Sequence, residues 1–193
     1  MGIHGGAKKL VIDTAEIRSL FPIVGQLVYL ISFEKENITN DYLGWLNNAI
    51  TVKYSNQRFY HHTNESAFKY LDSFSGGTNL FLAIYLKDSN KYIGTFTVYI
   101  SEVHETADMG ILIGDELRWG SGVGGDAWSA VLSFLIDKVK IRKVTGGAAV
   151  NNKAMLNIMI RAGMLPDGVR AAHEIIDSQP VDIAYFAKFN EFN

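Results

Sequence analysis

The chain has 193 residues, 48% of them hydrophobic and 20% charged, with a formal charge of −2. That suffices for one soluble domain with a sizeable core, and it excludes a global basic field that would recruit nucleic acid or an anionic membrane. The sequence holds no cysteine, which excludes disulfides, thiolate metal sites and cysteine nucleophiles and suits a reducing, cytoplasmic compartment. No apolar run reaches the ~18 to 20 residues of a membrane helix. The start, MGIHGGAKKLVID, lacks the apolar centre of a signal peptide, and Gly6 stands where a myristoylation pattern wants Ser or Thr.

In chain order, TAEIRSLFPIV predicts a short helix ended by Pro22, within an N-terminal extension over residues 1–24. QLVYLISF (Gln26–Phe33) reads as a strand. TNDYLGWLNN and TNESAFKYLDSF read as helices with Thr39 or Asn40, and Thr63 or Asn64, as caps. The second carries an apolar stripe of Ala67, Phe68, Leu71 and Phe74. NLFLAIYL, YIGTFTVYI and TADMGILIG, separated by the polar turns KDSNK and SEVHE, predict an antiparallel meander. A long helix follows, because Val123, Ala127, Val131, Leu135 and Val139 recur every fourth residue, widened by Trp128 and Leu132. Asp126 in its first turn and Lys138 and Lys140 in its last suit the helix dipole. IRKVTGGAAV is a further strand, NKAMLNIMIRAG a helix closed by Gly163, and the stretches around GVRAAHEII and VDIAYFAKF are the final strands. With no linker or repeat, residues 1–193 are expected to form a single domain of mixed α+β class.

Between the meander and the long helix lies GILIGDELRWGSGVGGDAW, with a literal G-x-G-x-x-G at Gly120, Gly122 and Gly125. Strand, glycine turn and helix make a general anion cradle, since the first N–H groups of a helix lack partners. A dinucleotide fingerprint wants the glycines directly after the strand and an acid ending the next one. Here DELRW intervenes, and the next strand ends at Val150–Asn151. A P-loop wants G-K-[ST] at the helix entry, where this chain has Gly124, Gly125 and Asp126. A purely structural glycine turn remains open.

WGSGVG resembles the acetyl-CoA pyrophosphate loop of the GNAT superfamily of N-acetyltransferases, [QR]-x-x-G-x-[GA], with Trp119, Gly122 and Gly124 at the patterned positions. NNKAMLNIMIRAGM is similar to the family's N-x-x-[SA]…G-F segment through Asn152 and Gly163–Met164, and ITNDYLGWLNN to its early tryptophan-containing helix. The tryptophan, preceded by IGDE, resembles the branch of ribosomal-protein alanine and amino-sugar acetyltransferases. The resemblance spans roughly residues 26–189. It implies a central, mostly antiparallel twisted sheet of six to seven strands with helices on both faces and a splayed strand pair at the cofactor site. The implied cosubstrate is acetyl-CoA, with no metal. Its pyrophosphate would lie on the N–H groups of Trp119, Gly120, Ser121, Gly122, Val123, Gly124 and Gly125. Its pantetheine would pair with Ile111, Leu112 and Ile113. Asn152 would contact the cofactor arm or cap its helix, and both readings stand.

Acetyl transfer to an amine needs a neutral nucleophile, an oxyanion donor and a proton for the thiolate. Lacking cysteine, the chain is expected to transfer directly in a ternary complex, with a backbone N–H of the splayed strand as oxyanion donor. EVHETAD offers Glu102, His104, Glu105 and Asp108; Asp108 and His104 are the expected bases, against the plainer reading of charged residues on a solvated strand end. The positions where relatives carry an acidic tyrosine or serine hold Met159 and Met155, leaving Tyr185 as a substitute. The motif HEIID ends in Asp177 on an expected strand, and the adjacent His61 and His62 point apart, so neither forms a metal site. Residues 42–74 are dense in aromatics, among them Trp45, Tyr54, Phe59, Tyr60, Phe68 and Tyr70. In the family this region walls the acceptor site. Lys53, Arg58 and Lys69 against Glu65 and Asp72 give it a slight positive excess. The expected acceptor is a small-molecule primary amine, an amino sugar or its nucleotide-linked form. The alternatives are a protein N-terminus or an acetyl-CoA sensor without catalysis. A homodimer is compatible with all of these; nucleic acid and membrane are not expected partners.

Overall fold

The protein is described by a computed structural model over residues 14–190, so the readings of the first 13 residues as neither leader nor lipidation site lie outside the described residues. Within them, eight strands form one sheet: β1 (Ile23–Val24), β2 (Val28–Ser32), β3 (Leu80–Leu86), β4 (Tyr92–Ser101), β5 (Thr106–Ile113), β6 (Lys143–Ala149), β7 (Leu165–Ile176) and β8 (Gln179–Phe189). Their order is β1-β2-β3-β4-β5-β6-β8-β7, antiparallel throughout except where β5 meets β6. The strand beyond the expected six to seven is β1, whose two residues pair with Leu30 and Tyr29 and are too short for a period-two pattern.

The α-helices described are α1 (Thr14–Ser19), α2 (Asn40–Asn47), α3 (Asn64–Asp72), α4 (Val123–Ser133) and α5 (Lys153–Arg161). They cover both faces of the sheet. The larger core joins the sheet to α4 and α5, while Tyr42, Leu46, Ala67 and Phe74 bring α2 and α3 against Phe33, Phe81 and Ala83 on the other face. Strand alternation assigns β5 to both: Ala107 and Met109 enter the larger core, and Leu112 packs with the smaller. The N-terminal segment is no appendage in its described part. Ile17 is buried in the larger core and the Phe21 ring lies 5.9 Å from that of Phe134.

Local chemistry starts and stops these helices. Thr39 Oγ1 accepts from the Tyr42 amide at 3.2 Å, and Thr63 and Ser66 form a reciprocal capping box, which settles both caps on threonine. The stripe on α3 is thinner than expected, with Phe68 39% exposed. All seven stripe residues are buried, five on α4 and Leu135 and Val139 beyond its end. A spacing of four oversteps a helical turn by about 40°, so such a stripe would drift off the sheet. The helix passes into a π turn over Phe134–Lys138, with the Val139 amide donating to Phe134 O at 3.1 Å, and this wider turn swings Leu135 and Val139 back inward. Helix α5 ends where Gly163, at φ +72°, lets its amide donate to Ile160 O and that of Met164 to Met159 O. Met164 is thereby set in the core, where its sulfur receives the Trp128 indole N–H at 3.3 Å.

Candidate active site

β5 and β6 pair only at Thr106–Asp108 with Lys143–Thr145, then part. Two side chains flank β6 where it parts. A Cβ on Gly146 would lie 2.7 Å from the Trp128 ring, and one on Gly147 would lie 2.8 Å from the Tyr185 ring. Glu105 O accepts from the Arg142 amide and Ala107 O from Thr145 Oγ1, so the odd-numbered residues of β5 face β6. By alternation Met109, Ile111 and Ile113 turn their N–H and C=O groups across the gap. Leu112, paired with Thr95, turns its own toward β4, a correction to its expected place in the pantetheine edge. The Ile113 carbonyl already accepts the Trp119 indole N–H at 2.8 Å. Of the three expected residues, Ile111 therefore offers both backbone groups to the gap.

The glycine turn joins this strand to α4. Gly120 (φ +75°) and Gly122 (φ +91°) occupy left-handed backbone that a Cβ disfavours. The Trp119 amide donates to Glu116 O and the Ser121 amide to Arg118 O, which removes these two from the expected cradle. The first helical bond runs from the Asp126 amide to Gly122 O, so the N–H groups at Gly122, Val123, Gly124 and Gly125 are those a helix start leaves for an anion. A Cβ on Gly124 would touch Ile113 and Ile158 at 3.5 Å, an ordinary contact; small size matters there less than at Gly122.

A cleft of about 1110 Å³ runs through the gap from one face of the sheet to the other. On the α4–α5 side it is lined by the glycine turn, Asn152, Met155 and Ile158. Asn152 fits both of its readings: Oδ1 accepts from the Met155 amide at 3.2 Å as a cap, and the residue faces the cleft. On the α2–α3 side lie Tyr42, Tyr54, Tyr70, Thr95, Thr97 and Gln57. Gly110 keeps that floor open, since a Cβ there would press within 2.8 Å of Thr97 Oγ1. The charged residues along the cleft are Arg118 beside the turn, Asp126 on α4 and Arg161 on α5.

The two expected bases part company. Asp108 sits where β5 and β6 separate, opposite Tyr99 of β4, and its carboxylate accepts from Thr145 Oγ1 at 2.6 Å. Its side chain reaches solvent, yet surrounding protein desolvates it and raises its pKa; the Thr145 hydroxyl and the Arg170 guanidinium oppose that rise without cancelling it. His104 lies in the exposed turn between β4 and β5, where its carbonyl accepts from Arg142 Nη2; neither it nor Asp108 lines the cleft, but Asp108 directly precedes Met109 and Gly110, which do. That turn lies four residues before the parting point. Met155 lines the cleft and Met159 is fully buried in the core. The Tyr185 ring packs over Gly147 with the Arg170 guanidinium 4.7 Å from its centre.

The positive excess expected in the acceptor wall is neutralised by pairing. Lys53 meets Asp177 at 2.9 Å, Arg58 meets Glu174 at 3.4 Å, and Lys69 meets Glu65 at 3.0 Å. The first two tie the α2–α3 connection to the β7–β8 hairpin. Sequence reasoning missed Gln26 and Leu27, which line the cleft from the β1–β2 turn, and Thr95 and Thr97 on β4. Gly25 was the available signal for the turn; nothing in a threonine-bearing strand marks which face meets a cleft. Among the described residues no three His, Asp or Glu side chains gather in metal-binding geometry, and no helix is long and apolar enough to cross a membrane.

The sequence profile of the acetyltransferase (GNAT) domain matches residues 29–165. No curated protein matches the chain. Among solved structures, the spermidine N-acetyltransferase from Vibrio cholerae in complex with CoA and spermine is 14% identical, with 85% of this chain and 96% of that one covered at a TM-score of 0.77. A ribosomal L7/L12 α-N-protein acetyltransferase in complex with coenzyme A is 17% identical, covering 88% and 98% at a TM-score of 0.78. The microcin C7 self-immunity acetyltransferase in complex with acetyl-CoA and AMP is 18% identical, covering 85% and 93% at 0.73. At such identities the likeness is one of fold.

Proposed function

The chain belongs to the GNAT acetyltransferase family, and from that premise we propose that it moves an acetyl group from acetyl-CoA to the primary amine of a ring-bearing small molecule with no other charge, an amino sugar. The observation that carries the proposal is the cleft through the parted strands, with a helix-start cradle on one side and a hydroxyl-lined aromatic chamber on the other. The residues fit the cosubstrate. Left-handed Gly120 and Gly122 and the amides at the start of α4 suit a pyrophosphate, and Ile111 presents the open strand edge that a pantetheine amide needs.

Acetyl-CoA supplies the acetyl group as a thioester. This chain's part is to bind, orient and move protons. Asp108, with its raised pKa, takes the proton of the acceptor's ammonium, directly or through water. An N–H of the open β5 edge, Met109 or Ile111, receives the charge that develops on the carbonyl oxygen. No protein acid is assigned to the thiolate, because the positions that carry one in relatives are Met155 and Met159; the proton comes from water.

The chamber argues for the acceptor class. Tyr42, Tyr54, Tyr70, Thr95, Thr97 and Gln57 offer hydrogen bonds to ring hydroxyls and aromatic faces to a ring. No carboxylate lines that half among the described residues, and Asp108 at the parting point is taken up by the reacting amine, so the further ammonium groups of a polyamine would lie unpaired. With Lys53 and Arg58 engaged in pairs, an anionic nucleotide tail gains no support from this wall. A CoA-release assay on free amino sugars, amino-sugar nucleotides, polyamines and N-terminal Ala or Ser peptides tests the proposal. Turnover of free amino sugars is expected. Turnover confined to polyamines or peptides overturns the acceptor class, and silence across the panel favours a sensor that binds acetyl-CoA without using it.

A further inference from the structure

An acidic residue in the first turn of a helix ordinarily interacts with that helix's own dipole. Asp126 is used otherwise. Its Oδ1 accepts from the Gln26 amide at 2.9 Å, and its Oδ2 accepts from the amides of Leu27 at 2.7 Å and Val28 at 3.0 Å. Three consecutive backbone N–H groups thus converge on one carboxylate, an anion nest supplied by a segment about a hundred residues away. Gly25 closes the nest from behind, since a Cβ there would collide with the Asp126 carboxylate. The turn it holds is part of the cleft wall: Gln26 and Leu27 line the cleft, and a Leu27 methyl lies 3.8 Å from the Cβ position of Gly122.

We propose that Asp126 is a positioning residue for the cofactor cradle, clasping the Gly25–Val28 turn against the start of α4 so that Gln26 and Leu27 form the outer wall beside the pyrophosphate. The proposal rests on the acetyl-CoA reading above. Two consequences follow from the geometry. The clasp fixes the approach to the free amides at Gly122–Gly125, and the nest neutralises a carboxylate that would otherwise stand one residue from those amides and repel a dianionic group. Asp126→Asn puts an amide NH2 against at least one of the turn's N–H donors, so the clasp loses a charge-assisted bond. Gly25→Ala attacks the same contact from the other side without touching the helix.

The test is equilibrium binding of CoA together with steady-state kinetics. Asp126→Asn and Gly25→Ala should each raise the CoA Kd and the acetyl-CoA KM about tenfold, the equivalent of one charge-assisted hydrogen bond, while kcat stays within about twofold. A purely structural role would lower the melting temperature and leave Kd unchanged. In the wild-type protein, coupling is reciprocal, so CoA should slow amide exchange at Gln26, Leu27 and Val28. That measurement stands even if a variant fails to fold. A CoA Kd within twofold of wild type in a folded variant, or unchanged exchange at the three amides on CoA binding, overturns the clasp while the acetyltransferase reading survives. A wild-type protein that does not bind CoA overturns the reading on which the clasp rests.

Discussion

Asp108 combines two pressures that can be separated by pH. Because burial raises its pKa in the fold, its ionised form costs stability there, and the protein loses stability as pH rises through the folded pKa. Asp108→Asn lacks this loss and can still accept from Thr145. Chemical denaturation should therefore find the variant at least as stable as wild type at neutral pH, with any advantage disappearing in acid. The same residue, as base, works only when ionised. In wild type the acidic limb of kcat/KM should lie above the usual carboxylate range, and in the variant that limb should vanish along with most of the rate. His104→Gln, altering a turn outside the cleft, should leave the profile unchanged; a shifted profile would return His104 to the chemistry. At the glycine turn, Gly122→Glu and Gly124→Glu should both abolish CoA binding by setting bulk and negative charge at the cradle. Gly124→Ala, whose methyl meets Ile113 and Ile158 at ordinary contact distance, should keep it, as isothermal titration would show.

At the scale of elements, α4 is where packing and function meet. Its apolar stripe holds it on the sheet, and its first turn carries the free amides. Trp128, 1% exposed, lies against Phe96 at 5.6 Å between ring centres and donates to Met164. Trp128→Ala should cost about 3–5 kcal/mol in urea unfolding, the range for deleting a large buried ring. Gly146→Ala should damage the same place from β6, because its methyl would meet that ring. The cap on α3 is a smaller term. Thr63→Ala should lower stability by about 1 kcal/mol and leave acetyl-CoA binding intact, since the cap lies away from the cleft. A change in CoA affinity in Thr63→Ala would show that α3 reports on the cofactor half as well as the acceptor half.

For the whole molecule, the cleft joins parts of the chain far apart in sequence: the β1–β2 turn, α2, β4, β5, α4, β6 and α5 all contribute to it. A ligand seated there stabilises the folded state as a unit. At about 100 times its dissociation constant acetyl-CoA should add roughly 2.7 kcal/mol, visible as a melting shift, whereas NAD(H) and ATP should add none. Stabilisation by NAD(H) alone would mean that the glycine turn holds a dinucleotide despite the intervening DELRW.

Much of this was legible in the sequence because local signals carry it. Period-four recurrence announced α4, apolar runs between polar turns announced β3 to β5, threonines announced the caps, and Gly120 and Gly122 announced backbone that only glycine adopts readily. What the tertiary structure decided are properties of pairs distant along the chain. Whether Leu112 or Ile111 faces the gap depends on the register of β5 against β4, and a shift of one residue would exchange them. Whether Lys53 and Arg58 are spare charge depends on the hairpin more than a hundred residues later that supplies Asp177 and Glu174. The use of Asp126 depends on a turn at Gly25–Val28 that no helical pattern encodes. A side chain's type is local, but its partner is chosen by the fold.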